Sequence, residues 1–319
     1  MVDKMTIYKG FNIETGPVGA GDKLKLAAAY GANLIRYQIV SHDAGSLSEH
    51  DYLEWVESEA LYIVELCNVA RNLGVYIAID LHSQYKGLRQ TILGGLQHEV
   101  IINKDARKVF VKAWILIATI LRNSPNIHSF GLLNEPRVFR AAKLISLYNN
   151  AITQIHEVSP WTKISVSPAG ADPNKISSLG NIKGAKYYEI HMYSPMNFTH
   201  QGLGDNCIGI KYPSNRFGAE DIRDLLSKSF SVGLKYKKEI FIGEYGVVNW
   251  ADEDSAVRWF YDVVHTCQVF EFHTALRSLQ GCSAWNVFAP AVVYVPANPC
   301  EHVIEEDTDR GRIILRHLK

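Results

Sequence analysis

Eight short apolar runs recur along the chain, at residues 7–12, 33–39, 75–81, 127–133, 163–168, 187–192, 239–243 and 281–287. Longer stretches separate them, and there the apolar residues return at helical spacing. Val56, Ala60, Ile63, Val64 and Cys67 form one stripe, and Val109, Ala113, Trp114, Ile117 and Leu121 another. Further stripes run through residues 24–28, 144–155, 222–226 and 257–264. Helix stops fall where the pattern needs them: Asn72-Leu73-Gly74 precedes a run, and Ser159-Pro160 follows a stripe. The runs are apolar throughout rather than at every second residue, which suits parallel strands buried on both faces. Eight strand–helix repeats in 319 residues predict an α/β chain folded as a (β/α)8 TIM barrel, with residues 1–319 as one domain. An open doubly wound sheet would carry a Gly-rich phosphate turn after its first strand, and Gly10-Phe11-Asn12-Ile13-Glu14 is not one.

Charge and composition remove several classes. The 33 Lys and Arg residues balance 33 Asp and Glu, so no excess of basic charge invites nucleic acid or an anionic membrane. The most apolar helical stretch, residues 109–121, carries Lys112 and is too short to cross a bilayer. No secretion signal is visible at the N-terminus, so the expectation is a cytoplasmic chain or a secreted one whose signal has been removed. The five cysteines form no CxxC pair and no zinc-like spacing. Cys67 and Cys267 fall on apolar helix faces and read as buried thiols; Cys207 and Cys300 lie in loop-like segments and could pair. Two segments break the repeat, residues 194–218 and 288–306, and both are expected over the barrel mouth.

The polar residues at or just past the ends of the apolar runs are Asn12, Arg36, His82, Asn134, Glu135, His191, Tyr193, Glu244 and Trp285. Each has a plain structural explanation by itself: a core histidine, a turn, a loop carboxylate. A barrel, however, gathers the strand ends around one mouth. So many polar groups at one rim would cost stability unless they paired with each other or with a ligand. Two glutamates in such company are the inventory of glycoside hydrolysis. One carboxylic acid protonates the leaving oxygen while the other carboxylate attacks the anomeric carbon. Burial and a like-charged neighbour are expected to raise the pKa of the acid, so that it holds its proton near neutral pH.

Leu132-Leu133-Asn134-Glu135-Pro136, His191-Met192-Tyr193, Ile242-Gly243-Glu244-Tyr245-Gly246 and Trp285-Asn286 occur in that order. Together they resemble glycoside hydrolase family 5, the cellulase-like (β/α)8 glycosidases. The likeness runs from Gly10-Phe11-Asn12 through Asn33-Leu34-Ile35-Arg36 and Asp80-Leu81-His82 to Trp285, most of the chain. It implies Glu135 as general acid/base and Glu244 as nucleophile, with Asn134 on the sugar 2-hydroxyl. It implies Arg36 and Tyr193 beside Glu244, His82 along the cleavage subsite, His191 supporting the acid/base, and Trp285 as a flat face for the pyranose. Retention of anomeric configuration follows, with no metal and no cofactor, because proton transfer replaces Lewis-acid activation. One departure is Ser83, where many cellulase-like members have a second His after the position of His82. Another is the apolar continuation Val287-Phe288-Ala289-Pro290. No carbohydrate-binding module is appended.

The expected partner is a polysaccharide or oligosaccharide. An endo-β-1,4-glucanase is the first reading, followed by a β-1,4-mannanase and then a β-glucosidase-like enzyme on short oligosaccharides. A carbohydrate-binding barrel without turnover is the least favoured, since both glutamates are present. Tyr37, Phe139, Tyr245, Trp250 and Phe288 are candidate sugar platforms, with Trp250 foremost. Trp55, Trp114 and Trp259 read as helix packing, and Trp161, after Pro160 in a turn, is open to either role.

Overall fold

The computed structural model describes residues 6–13, 19–91, 95–204, 207–280, 283–289 and 307–319. Eight strands close a parallel barrel. They are β1 (Lys9–Ile13), β2 (Leu34–Ile39), β3 (Tyr76–Leu81), β4 (Ile127–Gly131), β5 (Ile164–Val166), β6 (Ala185–Met192), β7 (Glu239–Tyr245) and β8 (His273–Leu276). Each pairs with its neighbours in chain order, and β8 closes the ring by pairing Lys9 with Thr274 and Phe11 with Leu276. The longer helices outside are α1 (Ala20–Ala29), α2 (Glu49–Leu73), α3 (Lys104–Leu121), α4 (Ala141–Val158), α5 (Ala219–Tyr236), α6 (Glu253–Val269) and α7 (Asp309–Leu318). After β5, two 3-10 turns, Ala169–Ala171 and Pro173–Leu179, stand where a helix would be. The sequence has no helical stripe there. None of the described helices is long and apolar enough to cross a membrane.

Local chemistry sets the helix ends. Ser48 Oγ accepts the Asp51 N–H at 3.2 Å at the start of α2, and Gly74, at φ +69°, ends it in the left-handed conformation. Asn103 caps α3 through the N–H groups of Asp105 and Ala106. The buried stripe of α3 includes Val109, Phe110, Trp114 and Ile117. Trp114 stacks on Phe130 of β4 with ring centroids 5.4 Å apart, and its indole N–H donates to Leu132 O at 3.0 Å. The helix layer thereby fixes the chain just before Asn134 and Glu135. Removing so large a buried ring would cost about 3–5 kcal/mol. Cys67 and Cys267 are buried free thiols, as expected; Cys282 and Cys300 lie outside the described residues.

One strand is not where the sequence suggests. The eighth is His273–Leu276, not residues 281–287. The apolar and aromatic character of Trp285 and Val287 favours a strand locally. Yet Ser283–Trp285 forms a 3-10 turn beyond the barrel, and residues 281–282 lie outside the described set. The true β8 is only four residues long and follows α6 closely, so little periodicity announces it. Of the segment 288–306, Phe288 and Ala289 are described, both buried.

Candidate active site

Eight of the predicted residues converge at the C-terminal mouth of the barrel. Arg36, on β2, is buried and holds three carboxylates at once. Its Nη1 donates to Glu244 Oε1 at 2.9 Å, its Nε lies 2.9 Å from Glu189 Oε1, and its Nη2 lies 3.2 Å from Asp80 Oδ2. Nη2 also donates to Asn134 Oδ1 at 3.0 Å. Burial works against the guanidinium charge, but the three carboxylates outweigh it and raise its pKa. Asn12 accepts from Arg36 Nη1 at 2.9 Å and donates to Gly243 O at 2.8 Å, tying β1 to β2 and β7. His82 Nδ1 is 2.8 Å from Asp80 Oδ2, and its Nε2 is 3.5 Å from Asn134 Nδ2.

Glu244 ends in a cage of donors. The Tyr193 hydroxyl donates to Oε2 at 2.9 Å, and Gln38 Nε2 joins Arg36 on Oε1 at 3.0 Å. Arg277, just past β8, has Nη1 3.6 Å from Oε1. Burial alone would favour the neutral acid, but Arg277, His191 and Arg36 hold this carboxyl well below the usual carboxylate range. Glu135 is more open, with a side chain 39% exposed, and has φ +37°, an uncommon backbone conformation that points to local strain. Its Oε1 lies 2.9 Å from His191 Nδ1.

Here the electrostatics depart from the sequence expectation. Burial and Glu244 push Glu135 up, but the hydrogen bond and charge of His191 prevail and lower it. Burial pushes His191 down, while Glu244, Glu135 and Glu189 raise it to about 9. The shifts thus run opposite to that expectation: His191 is drawn toward its charged form and Glu135 toward its carboxylate.

Trp285 lies at the rim, 8% exposed, with its ring 5.5 Å from that of Tyr193 and 4.8 Å from His200. It arrives from the turn after β8, not from a strand. Trp250 is as buried as Trp285, and its indole N–H donates to Gln201 O, which ties it to the 194–218 connection. Tyr37, Tyr245 and Phe288 are likewise buried, Tyr37 donating to Glu59 Oε2 at 2.8 Å. Phe139 is exposed, while Trp114 and Trp259 are buried in helix packing.

Sequence reading missed Gln38, Asp80, Glu189 and Arg277. Three of them had a signal: Gln38 lies two residues after Arg36 on β2, Glu189 lies two residues before His191 on β6, and Asp80 lies two residues before His82, which follows the end of β3. A recess of about 330 Å³ adjoins Glu135, lined by His82, His98, Gln84 and Arg137 among others. Among the described residues, two sets offer three metal-ligand atoms close together: exposed His50, Asp51 and Glu54, and the set Glu135, His191 and Glu244, whose atoms lie within 4.8 Å of one another.

A buried carboxyl held toward its charged form beside a second carboxyl is the pairing that glycoside hydrolysis uses. The family model for cellulase, glycosyl hydrolase family 5, matches residues 4–286. The chain belongs to glycoside hydrolase family 5 and hydrolyses O-glycosyl bonds. Cellodextrinase A of Ruminococcus flavefaciens is 26% identical over 283 residues, covering 84% of this chain and 79% of the relative. Endoglucanase C of Acetivibrio thermocellus is 24% identical over 272 residues, covering 75% and 76%. Among solved structures, Thermotoga maritima Cel5A in complex with mannotriose superposes with a TM-score of 0.74 at 20% identity, covering 98% of this chain and 97% of that one. A hyperthermophilic endo-β-1,4-glucanase with bound substrate gives 0.73 at 20% identity, covering 97% of each. At that identity the likeness is one of fold.

Proposed function

We propose that residues 1–319 form one catalytic domain, a retaining endo-β-1,4-glucanase working by double displacement. Glu244 attacks the anomeric carbon while Glu135 passes a proton to the leaving oxygen, giving a covalent glycosyl-enzyme. Water then attacks the same carbon, Glu135 takes its proton, and Glu244 leaves. The observation that carries the reading is the spacing of the carboxylates. One oxygen of Glu135 and one of Glu244 lie within 4.8 Å of each other, an approach that accords with the ~5–5.5 Å carboxyl separation of retaining enzymes. The cage around Glu244 keeps it ionised and aimed. His191 supplies the proton that Glu135 delivers, once a bound sugar excludes water and favours the neutral acid. Asn134 would meet the 2-hydroxyl, His82 would line the cleavage subsite, and Trp285 would sit under the ring.

Glucan is favoured because the curated relatives are an endoglucanase and a cellodextrinase. The latter name also supports a second reading, action on short oligosaccharides, for which the polar recess beside Glu135 would serve as an end wall. The test is reducing-sugar release from soluble β-1,4-glucan, with β-mannan and xylan alongside and Glu244→Gln as the blank. Glucan cleavage by the unaltered chain alone supports both reaction and nucleophile. Cleavage of mannan alone keeps the mechanism and changes the substrate. Turnover by Glu244→Gln at the unaltered rate overturns the nucleophile.

A further inference from the structure

The barrel has a second depression, on the face opposite the mouth. Residues 122–126 lead into β4 and residues 159–163 lead into β5, so both segments lie at the N-terminal ends of the strands, away from Glu135 and Glu244. Between them is a depression of about 330 Å³, at the small end of the range for ligand pockets (~300–1,000 Å³). At its edge Trp161 is 94% exposed, more than any other large apolar side chain described.

Both walls are fixed. On the Trp161 side, Ser159 Oγ and Thr162 Oγ1 are 2.6 Å apart, the Thr162 N–H donates to Ser159 O at 3.2 Å, and His156 Nε2 donates to Thr162 O at 3.1 Å. On the other side, Asn126 Nδ2 donates to Val75 O at 2.9 Å, and the Ser124 N–H to Leu121 O at 2.9 Å. A ring held out on a fixed turn loses little conformational freedom when something docks on it.

The surroundings decide what docks. A protein partner would call for a contiguous apolar patch. Here Trp161 is the one exposed large apolar side chain lining the depression among the described residues; Ile127, Val158 and Pro160 line it beside the polar Arg122, Asn123, Ser124 and Lys163. One flat aromatic face beside amide, hydroxyl and cationic donors matches a pyranose, which offers an apolar face of C–H groups and a perimeter of hydroxyls. We infer that Trp161 and this rim form a secondary glycan-binding site, taking a stretch of β-linked glucan and tethering the enzyme to polymer while the mouth cuts elsewhere. The inference takes its glycan from the function proposed above. A tether acts through effective concentration, so it aids long substrates and leaves short ones untouched.

The test compares the full chain with Trp161→Ala and Trp161→Tyr. On an aryl cellobioside, kcat and KM should be unchanged in both. On soluble β-1,4-glucan, KM should rise about three- to tenfold in Trp161→Ala with kcat held, and Trp161→Tyr should recover much of the loss. Binding is read apart from cleavage by gel retardation in soluble β-1,4-glucan or β-mannan, comparing Glu244→Gln with Glu244→Gln/Trp161→Ala. Weaker retardation of the double variant supports the site, and equal retardation in both glycans overturns it. Equal KM on polymer for Trp161→Ala and the unaltered chain also overturns it. If the unaltered chain cleaves no glycan, the reading of the mouth falls, and the retardation comparison still decides on Trp161.

Discussion

Glu189 and His191, two residues apart on β6, both turn into the barrel, with Glu189 Oε1 3.6 Å from His191 Nε2. The other imidazole nitrogen faces Glu135, and Glu244 Oε2 is 3.8 Å away, so the ring is surrounded by three carboxylates. Beyond Glu189 stand Arg36 and the Ser165 hydroxyl, which donates to Oε2 at 2.8 Å. Glu189 is thus a positioning residue beneath the pair that would do chemistry.

Glu189→Gln should pull the alkaline limb of activity downward. His191 stands raised to about 9 against an ordinary 6.5, so its charged form stabilises the site fully below about 6.5 and is lost as pH rises through about 9. Removing one of the three carboxylates weakens that hold, and the limb should move to lower pH by on the order of one unit. Profiles of kcat/KM against pH for both proteins check this. Coincident limbs would show that Glu189 only fills space.

Arg36→Lys should cost more than a conservative change normally does. One ammonium cannot reproduce a planar fork that meets Glu244, Glu189, Asp80 and Asn134. Carboxylates left buried without partners are expensive, and the loss should reach about 3–5 kcal/mol in denaturant unfolding, with activity falling alongside. A loss under about 1 kcal/mol would mean that the carboxylates find other partners.

Which parts of this were legible in the sequence depended on whether the signal was local. Glu135, His191, Tyr193 and Glu244 stood out because each is a polar residue at the end of an apolar run, and a barrel makes run ends meet. Gln38, Asp80 and Glu189 were hidden inside runs read as wholly apolar, although the two-residue strand period places them beside residues already singled out. β8 was missed because His273–Leu276 is short and mixed in polarity, while Trp285 and Val287 imitate a strand. The ionisation of Glu135 could not be read at all, since it turns on His191, fifty-six positions away. The tie from the Trp250 indole N–H to Gln201 O is likewise invisible in sequence, since it joins residues forty-nine positions apart.

Gly243→Ala tests how tightly Glu189 is held. A Cβ on Gly243 would fall 2.7 Å from Cδ and 2.8 Å from Cγ of Glu189, in a barrel interior with no room to yield. The variant should be destabilised by about 1–3 kcal/mol and lose activity as Glu189 displaces Arg36 and His191. Thermal unfolding and kcat measured together check both halves. A stable variant with full activity would show that Glu189 can swing aside freely.

Trp285→Ala separates a sugar platform from a packing residue. The ring lies against Tyr193 and His200, and an added Cβ on Gly246 would sit 3.3 Å from its Cε3, so the backbone of β7's exit comes close to one side of it. If it carries the sugar, KM for short oligosaccharides should rise about tenfold, equivalent to about 1.4 kcal/mol, with kcat changed by less. Trp285→Phe should restore part of the binding, because it keeps an aromatic face. Were the ring mainly packing, the same substitution would instead lower the unfolding midpoint and kcat together, since Tyr193, which donates to Glu244, would lose its neighbour. Steady-state kinetics and a melting curve on the same two variants distinguish these outcomes.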